Sequence, residues 1–147
     1  MLDEATETRV IEASPARCYE LAADVERYPE WTSDLKDAEI LETDTEGRPR
    51  RVRFRAAAMG RSTTYTLCYD HGGAPERLTW VLEEGDITNR LDGWYRFTPV
   101  EGNPDQCEVT YHLEVELMVP LPGFVKRRAE GRIIHTALDD LQARAES

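Results

Sequence analysis

Cysteine is scarce in this chain and scattered. Cys18, Cys68 and Cys107 are odd in number, share no CxxC spacing and lie far apart along the sequence. That pattern suits reduced thiols serving as small hydrophobes, with a reactive cysteine the weaker reading, and it excludes a disulfide framework or a zinc ribbon. Long apolar runs are absent: no stretch approaches the ~18 residues of a membrane span. Met1-Leu2-Asp3-Glu4 opens the chain with no apolar leader segment behind it, so a cytoplasmic protein without a membrane span is expected. Net positive charge is also missing. Lys and Arg number 18 against 29 Asp and Glu, a formal charge of −11. This balance argues against a nucleic-acid partner, whose affinity comes largely from neutralising phosphates, and against docking on anionic membranes through a basic face.

The fingerprints of several chemistries are lacking as well. No Ser-His-Asp order, nucleophile elbow, P-loop or GxGxxG can be read. His71, His112 and His135 are too scattered for a metal site and offer no 2-His-carboxylate spacing. Neither a metal nor a cofactor is expected, and His135 is the one histidine worth testing as an acid or base.

What is present is one globular domain spanning 1–147, 40% hydrophobic and 32% charged, long enough to bury roughly 68–70% of its unfolded surface. No repeat, low-complexity segment or linker divides it. "TETRVIEA" (6–13) alternates as a strand. Ser14-Pro15 then starts a helix, with serine as cap and proline at the first helical position, and Cys18, Leu21, Ala22 and Val25 share its apolar face. Pro29 interrupts the helical run, so Tyr28 and Trp31 of "DVERYPEW" sit in a second, short helical turn.

The period then becomes two. Strands are predicted at 37–44, 50–58, 62–70, 77–85, 88–100 and 106–117, each junction carrying turn residues, so that neighbours pair as an antiparallel meander with one wet face. In the last of them Val109, Tyr111, Leu113, Val115 and Leu117 alternate with polar residues. Arg51, Arg53 and Arg55 form a basic row that antiparallel pairing would set against Asp37 and Glu39. Gly93, inside a strand, suggests a bulge or sharp curvature. From Pro122-Gly123 the helical period returns and holds to the end, with Phe124, Ile134, Leu138, Leu141 and Ala145 as its stripe. A curved sheet that buries one face needs a cover, and this long helix supplies it.

The succession "SPARCYELAADVERYPEW", "RLDGWYRFTPV…CEVTYHLEVEL" and "VPLPGFVKRRAEGRIIHTALDDL" resembles the START/SRPBCC superfamily, in particular the small polyketide cyclase/dehydrase-like proteins of actinobacteria. The resemblance spans roughly residues 6–145. It implies an α+β helix-grip fold: a curved seven-stranded antiparallel sheet wrapped around a long C-terminal helix, with two short helices after the first strand. It also implies an apolar cavity between sheet and helix that holds a lipid, a polyketide or another hydrophobic small molecule. Trp31-Thr32-Ser33-Asp34 departs from the Pro-Trp-Cys continuation of the quinone-binding branch, and no catalytic residue carries over from the aromatase/cyclases.

Candidate ligand contacts come from the inward strand faces. They are Phe54, Tyr65 and Leu67, then Trp80, Leu91 and Tyr95, then Tyr111 and Leu113. An aromatic-lined space with a few polar tips is what a small-molecule site looks like, the bland alternative being ordinary core packing. From the long helix come Phe124, Arg128, Gly131 and Ile134. Glycine within a helix suggests a close approach by backbone or ligand, and Arg128 is a candidate clamp for a carbonyl or carboxylate unless it simply snorkels to solvent. Two functions result. One is a binding module for a hydrophobic small molecule, as monomer or homodimer. The other is a polyketide cyclase/dehydratase, with Arg128 as electrostatic clamp and Tyr95 or Tyr111 as proton donor; a protein-interaction role on the same fold is a third. "DVERYPEW" is expected to be mainly a structural plug, with a secondary ligand contact open to it.

Overall fold

Alternation along the strands decides what this protein buries. Between Cys107 and Leu117 every second side chain, Cys107, Val109, Tyr111, Leu113, Val115 and Leu117, is buried, as a half-buried strand requires. A computed structural model describes residues 3–58 and 60–147 of the chain. It contains β1 (Asp3–Ile11), α1 (Pro15–Ala23), a 3-10 turn (Val25–Arg27), α2 (Tyr28–Trp31), β2 (Leu35–Thr43), β3 (Pro49–Ala58), β4 (Arg61–Asp70), β5 (Arg77–Gly85), β6 (Thr88–Val100), β7 (Asn103–Leu117) and α3 (Gly123–Ala145).

The strands make one seven-stranded antiparallel sheet in the order β1-β7-β6-β5-β4-β3-β2. From β2 to β7 each strand pairs with its successor, as the turn residues predict. β1 closes beside β7, with Asp3 opposite Val115 and Ile11 opposite Cys107. β1 and β2 therefore lie at opposite edges, and the segment joining them must cross from one edge to the other. That crossing is α1, the 3-10 turn and α2, and it carries Tyr28 and Trp31 across the concave face.

The start of α1 forms as its sequence dictates: the Ser14 side chain accepts a hydrogen bond from the Arg17 N–H at 3.2 Å, and Pro15 occupies the first turn. Cys18, Ala22 and Val25 are buried. Cys18 and Cys107, distant in sequence, are both buried in the core, and the neighbouring Cys107 thiol together with burial holds Cys18 as the neutral thiol. The arginine row pairs much as expected: Asp37 is opposite Arg55 and Glu39 opposite Arg53, and Arg53 binds Glu39. Arg51 instead reaches across to Glu83 of β5, at 2.7 Å.

Gly93 is a place of close approach. The β6–β7 register runs unbroken through it, while the β5–β6 pairing ends there, at Trp80 opposite Gly93. Beyond that point the Asp92 carboxylate takes over as acceptor for the Leu82 N–H at 2.8 Å.

α3 packs on β1, β7 and α1 through Ile134, Leu138, Leu141 and Ala145, all buried. The predicted stripe fails at its beginning. Phe124 is 61% exposed, and the residue that continues the stripe is Glu130, fully buried. At about 100° per residue, Glu130 falls in line with Ile134 and Leu138, while Phe124 and Arg128 lie well round one flank.

Candidate functional site: a cavity between sheet and helix

The concave face of the sheet, α2 with the residues just after it, and one side of α3 enclose a cavity of about 170 Å³. A void of that order holds a small ring or the end of an alkyl chain. β3 contributes Phe54, β4 Tyr65 and Leu67, β5 Trp80, β6 Leu91 and Tyr95, and β7 Tyr111 and Leu113. These are the eight strand residues predicted from the alternation. Tyr69 joins them from β4. The rings form a continuous surface: Tyr95 and Tyr111 have centroids 4.8 Å apart, and Trp80 stands 5.5 Å from Tyr95 and 5.8 Å from Tyr111. Offset and tilted packing of this kind suits the quadrupoles of the rings.

The helix residues expected at the site are elsewhere. Phe124 and Arg128 are exposed, and Ile134 is buried against the core beside Leu138 and not among the cavity lining. At Gly131 an added Cβ would meet nothing within 4 Å, so no backbone or side chain approaches it closely. The helical phase explains all four. Ile134 lies on the core stripe, and Phe124, Arg128 and Gly131 lie on the flank turned away from the cavity. The opposite flank, carrying Ile133, Thr136, Ala137 and Asp140, faces the cavity. Their i, i+3, i+4, i+7 spacing is legible in the sequence, but the buried stripe next to it has the stronger apolar signal.

"DVERYPEW" supplies wall as well as plug. Tyr28 is buried and donates its hydroxyl to the Ala22 carbonyl, which pins the elbow to α1. Its ring stacks on Phe54 and meets Trp31 edge-on at 5.2 Å, and both Tyr28 and Trp31 line the cavity. Thr32, whose hydroxyl donates to the Tyr28 carbonyl at 2.7 Å, and Asp34 and Leu35 continue that wall.

The polar groups of the lining are tyrosine and threonine hydroxyls and two carboxylates. Tyr65, Tyr95 and Tyr111 make no hydrogen bond with any described residue. Burial raises all three phenols well above the ordinary range, with the Asp34 charge adding at Tyr65 and the Asp140 charge at Tyr95. The hydroxyls therefore keep their protons and present themselves as donors. Among the described residues no Lys, Arg or His lines the cavity, and its charged groups are Asp34 and Asp140. Asp140 accepts from the Ser33 N–H at 2.9 Å and the Ser33 hydroxyl at 2.8 Å, and Asp34 pairs with Arg132 at 3.2 Å. Without Arg128 in the lining, the electrostatic clamp expected of a cyclase is missing.

The histidines stand apart from the cavity. His135 pairs with Glu7, His112 with Thr6 at 2.7 Å, and buried His71 with the Pro49 carbonyl at 2.6 Å. Glu4, His112 and Glu114 bring three ligand-type atoms within 4.8 Å of one another across the β1–β7 pair. A reading along the chain misses this group because Glu4 arrives from the neighbouring strand. Two of its members are already engaged, His112 with Thr6 and Glu114 with Arg90 at 3.0 Å.

Known proteins share this architecture. The model of the family described as polyketide cyclase/dehydrase and lipid transport matches residues 11–142. The chain belongs to that family. Its fold is shared with a START superfamily protein from Mycobacterium smegmatis, with a TM-score of 0.86, 24% identity and 97% of each chain covered. It is shared also with the Zhui aromatase/cyclase from Streptomyces sp. R1128, with a TM-score of 0.83, 17% identity, and 99% of this chain and 94% of that one covered. A curated relative, the persistence and stress-resistance toxin PasT of Escherichia coli O6:H1, is 25% identical over 116 residues, 79% of this chain and 70% of its own. The family membership and the helix-grip fold agree with what the element order implies. Among the described residues no helix is long and apolar enough to cross a membrane.

Proposed function

We propose that this protein binds a hydrophobic small molecule in the cavity between sheet and α3. One observation carries the reading: an apolar, aromatic-walled space lined by three protonated phenols that have no hydrogen-bond partner among the described residues. A buried hydroxyl without a hydrogen bond is costly, so the arrangement is economical only when a bound molecule or water completes it. The ligand class is then an apolar body with one or more oxygen or nitrogen functions. Membership of a family described by lipid transport and polyketide chemistry supports the same reading. Native mass spectrometry of protein isolated from its source organism, followed by solvent extraction, tests it. A co-purifying apolar compound in one-to-one ratio is expected; a protein that comes out empty and fails to take up any apolar probe overturns the proposal.

Cyclase/dehydratase activity is the second reading, and the adjacent Tyr95 and Tyr111 hydroxyls favour it as groups from which a proton could be delivered to a bound polyketone. It would depend on shaping and hydrogen bonding alone, because Arg128 is not in the lining. Loss of turnover in Tyr95→Phe and in Tyr111→Phe, with Arg128→Ala unchanged, is the pattern expected of such an enzyme.

A further inference from the structure

The charge of the cavity goes further than its shape. A buried carboxylate or phosphate needs a counterion or a set of donors, since an unpaired ion loses several kcal/mol of hydration. Among the described residues the lining offers an anion no cationic group at all. What it offers is the opposite: Asp34 and Asp140, on the two segments that meet over the cavity, α2–β2 and α3. Neither carboxylate is used up by its neighbours. Asp34 uses Oδ1 for Arg132, and each Asp140 oxygen takes one hydrogen bond from Ser33, where a carboxylate oxygen can accept two.

The cavity wall that includes Asp34 is largely aromatic. Trp31, Tyr28, Phe54 and Tyr65 succeed one another in ring contact, with centroid spacings of 5.2, 6.1 and 5.6 Å, and all four line the same cavity. Aromatic faces beside a carboxylate are the surroundings an organic ammonium prefers. Independently of the acids, Tyr95 and Tyr111 are 5% and 6% exposed, line this space and have no hydrogen-bond partner among the described residues. Their oxygens can accept from an N–H as readily as they can donate. The protein's charge of −11 draws cations toward any mouth of the cavity.

We propose that the cavity selects hydrophobic organic cations, the positive end resting at Asp34 and Asp140 against the neighbouring rings, the apolar body filling the space beside Leu67, Leu91 and Leu113, and a polar function of the ligand or a water meeting the Tyr95 and Tyr111 hydroxyls. The proposal rests on the reading of the cavity as a small-molecule site and narrows its ligand to amines and quaternary ammonium compounds.

Three probes sharing one apolar chain test it: decyltrimethylammonium, decan-1-ol and decanoate, each titrated by calorimetry below its aggregation concentration. The cation is expected to bind at least about tenfold more tightly than decanoate, with the alcohol between them. In Asp34→Asn/Asp140→Asn the ratio of cation affinity to decan-1-ol affinity should collapse, whatever the variant does to the alcohol itself. A control that removes the same charge elsewhere, Glu101→Gln/Asp105→Asn, should leave the order unchanged, which separates the two carboxylates from the overall charge. Equal or tighter binding of decanoate by the wild-type protein overturns the proposal, whatever the variants do, and so does a preference for the cation that only the distant control removes. Binding of decan-1-ol without that preference overturns charge selection alone; binding of none of the three removes the small-molecule site itself.

Discussion

Trp80 lies so close over Gly93 that a Cβ at position 93 would sit 2.7 Å from the indole ring, and 2.4 Å from the His112 carbonyl oxygen on the other side. Gly93→Ala is therefore expected to destabilise the protein by about 1–3 kcal/mol, the usual cost of overpacking. It should also displace Trp80 from Tyr95 and Tyr111 and so change the cavity. Urea midpoints, together with near-ultraviolet circular dichroism of the aromatic cluster, check both parts.

Glu130 gives stability a pH dependence of unusual sign. It is fully buried on the core stripe of α3, where one oxygen accepts the Leu117 N–H at 2.9 Å and the other has no partner beyond the neighbouring Asp3 carboxyl. Burial, reinforced by Asp3, pushes its carboxyl up to about 6 from an ordinary 4.5. A carboxyl raised in the folded state binds its proton more tightly there than in the unfolded chain. Its contribution is therefore complete below about pH 4.5 and is lost as pH rises through about 6, a loss on the order of 1–2 kcal/mol. Glu130→Gln keeps the acceptor for Leu117 and can donate to Asp3, so this variant is expected to be the more stable protein at pH 7.5 and to lose the advantage near pH 4.5. Unfolding midpoints of the two proteins at both pH values decide it.

Tyr95 and Tyr111 should reveal their roles by what their removal leaves intact. Because neither hydroxyl bonds to a described residue, Tyr95→Phe and Tyr111→Phe are expected to leave the unfolding midpoint unchanged or slightly raised. Each should weaken a hydroxylated aromatic probe by roughly 2–10-fold, the value of one hydrogen bond. A fall in stability with unchanged probe affinity would place these hydroxyls in the core and not in the site.

Thiol reactivity offers a quick check on packing. Cys18 and Cys107 are fully buried, whereas Cys68 is half-exposed. One equivalent of Ellman's reagent should react rapidly with the native protein, Cys68→Ala should abolish that reaction, and the other two thiols should appear only on unfolding.

The strands, and the face each of them buries, can be read directly from residues, because a period of two leaves one choice of face: Tyr95, Tyr111 and Leu113 line the cavity for the same reason that Glu108 and Glu114 do not. α3 is harder. Its buried stripe at Ile134, Leu138 and Leu141 is plain, but extending it back to Phe124 follows hydrophobicity where geometry requires Glu130, a charged residue that apolar periodicity passes over. A stripe of buried residues also says nothing about which flank borders empty space, so Ala137 and Asp140 give no signal while Arg128 and Gly131 stand out. Asp34 and Asp140 come together only through the crossing of α1 and α2 over the sheet, a relationship between distant segments that no local spacing encodes. Tyr28 and Trp31 are visible as an elbow; that the elbow is also a wall depends on Phe54 arriving beneath it from β3.

Filling the cavity is the decisive test of its purpose. Ala137 faces it from α3, and Ala137→Phe places a ring in the space from the helix side. Titration of the wild type and this variant with 2-naphthol, a neutral probe that brings its own hydroxyl, measures occupancy by fluorescence. Saturable one-to-one binding to the wild type is expected, weakened at least about tenfold in a variant with an unchanged far-ultraviolet spectrum. Absence of saturable binding to the wild type, or equal binding by the filled variant, would show that the cavity is not where this protein meets its ligand.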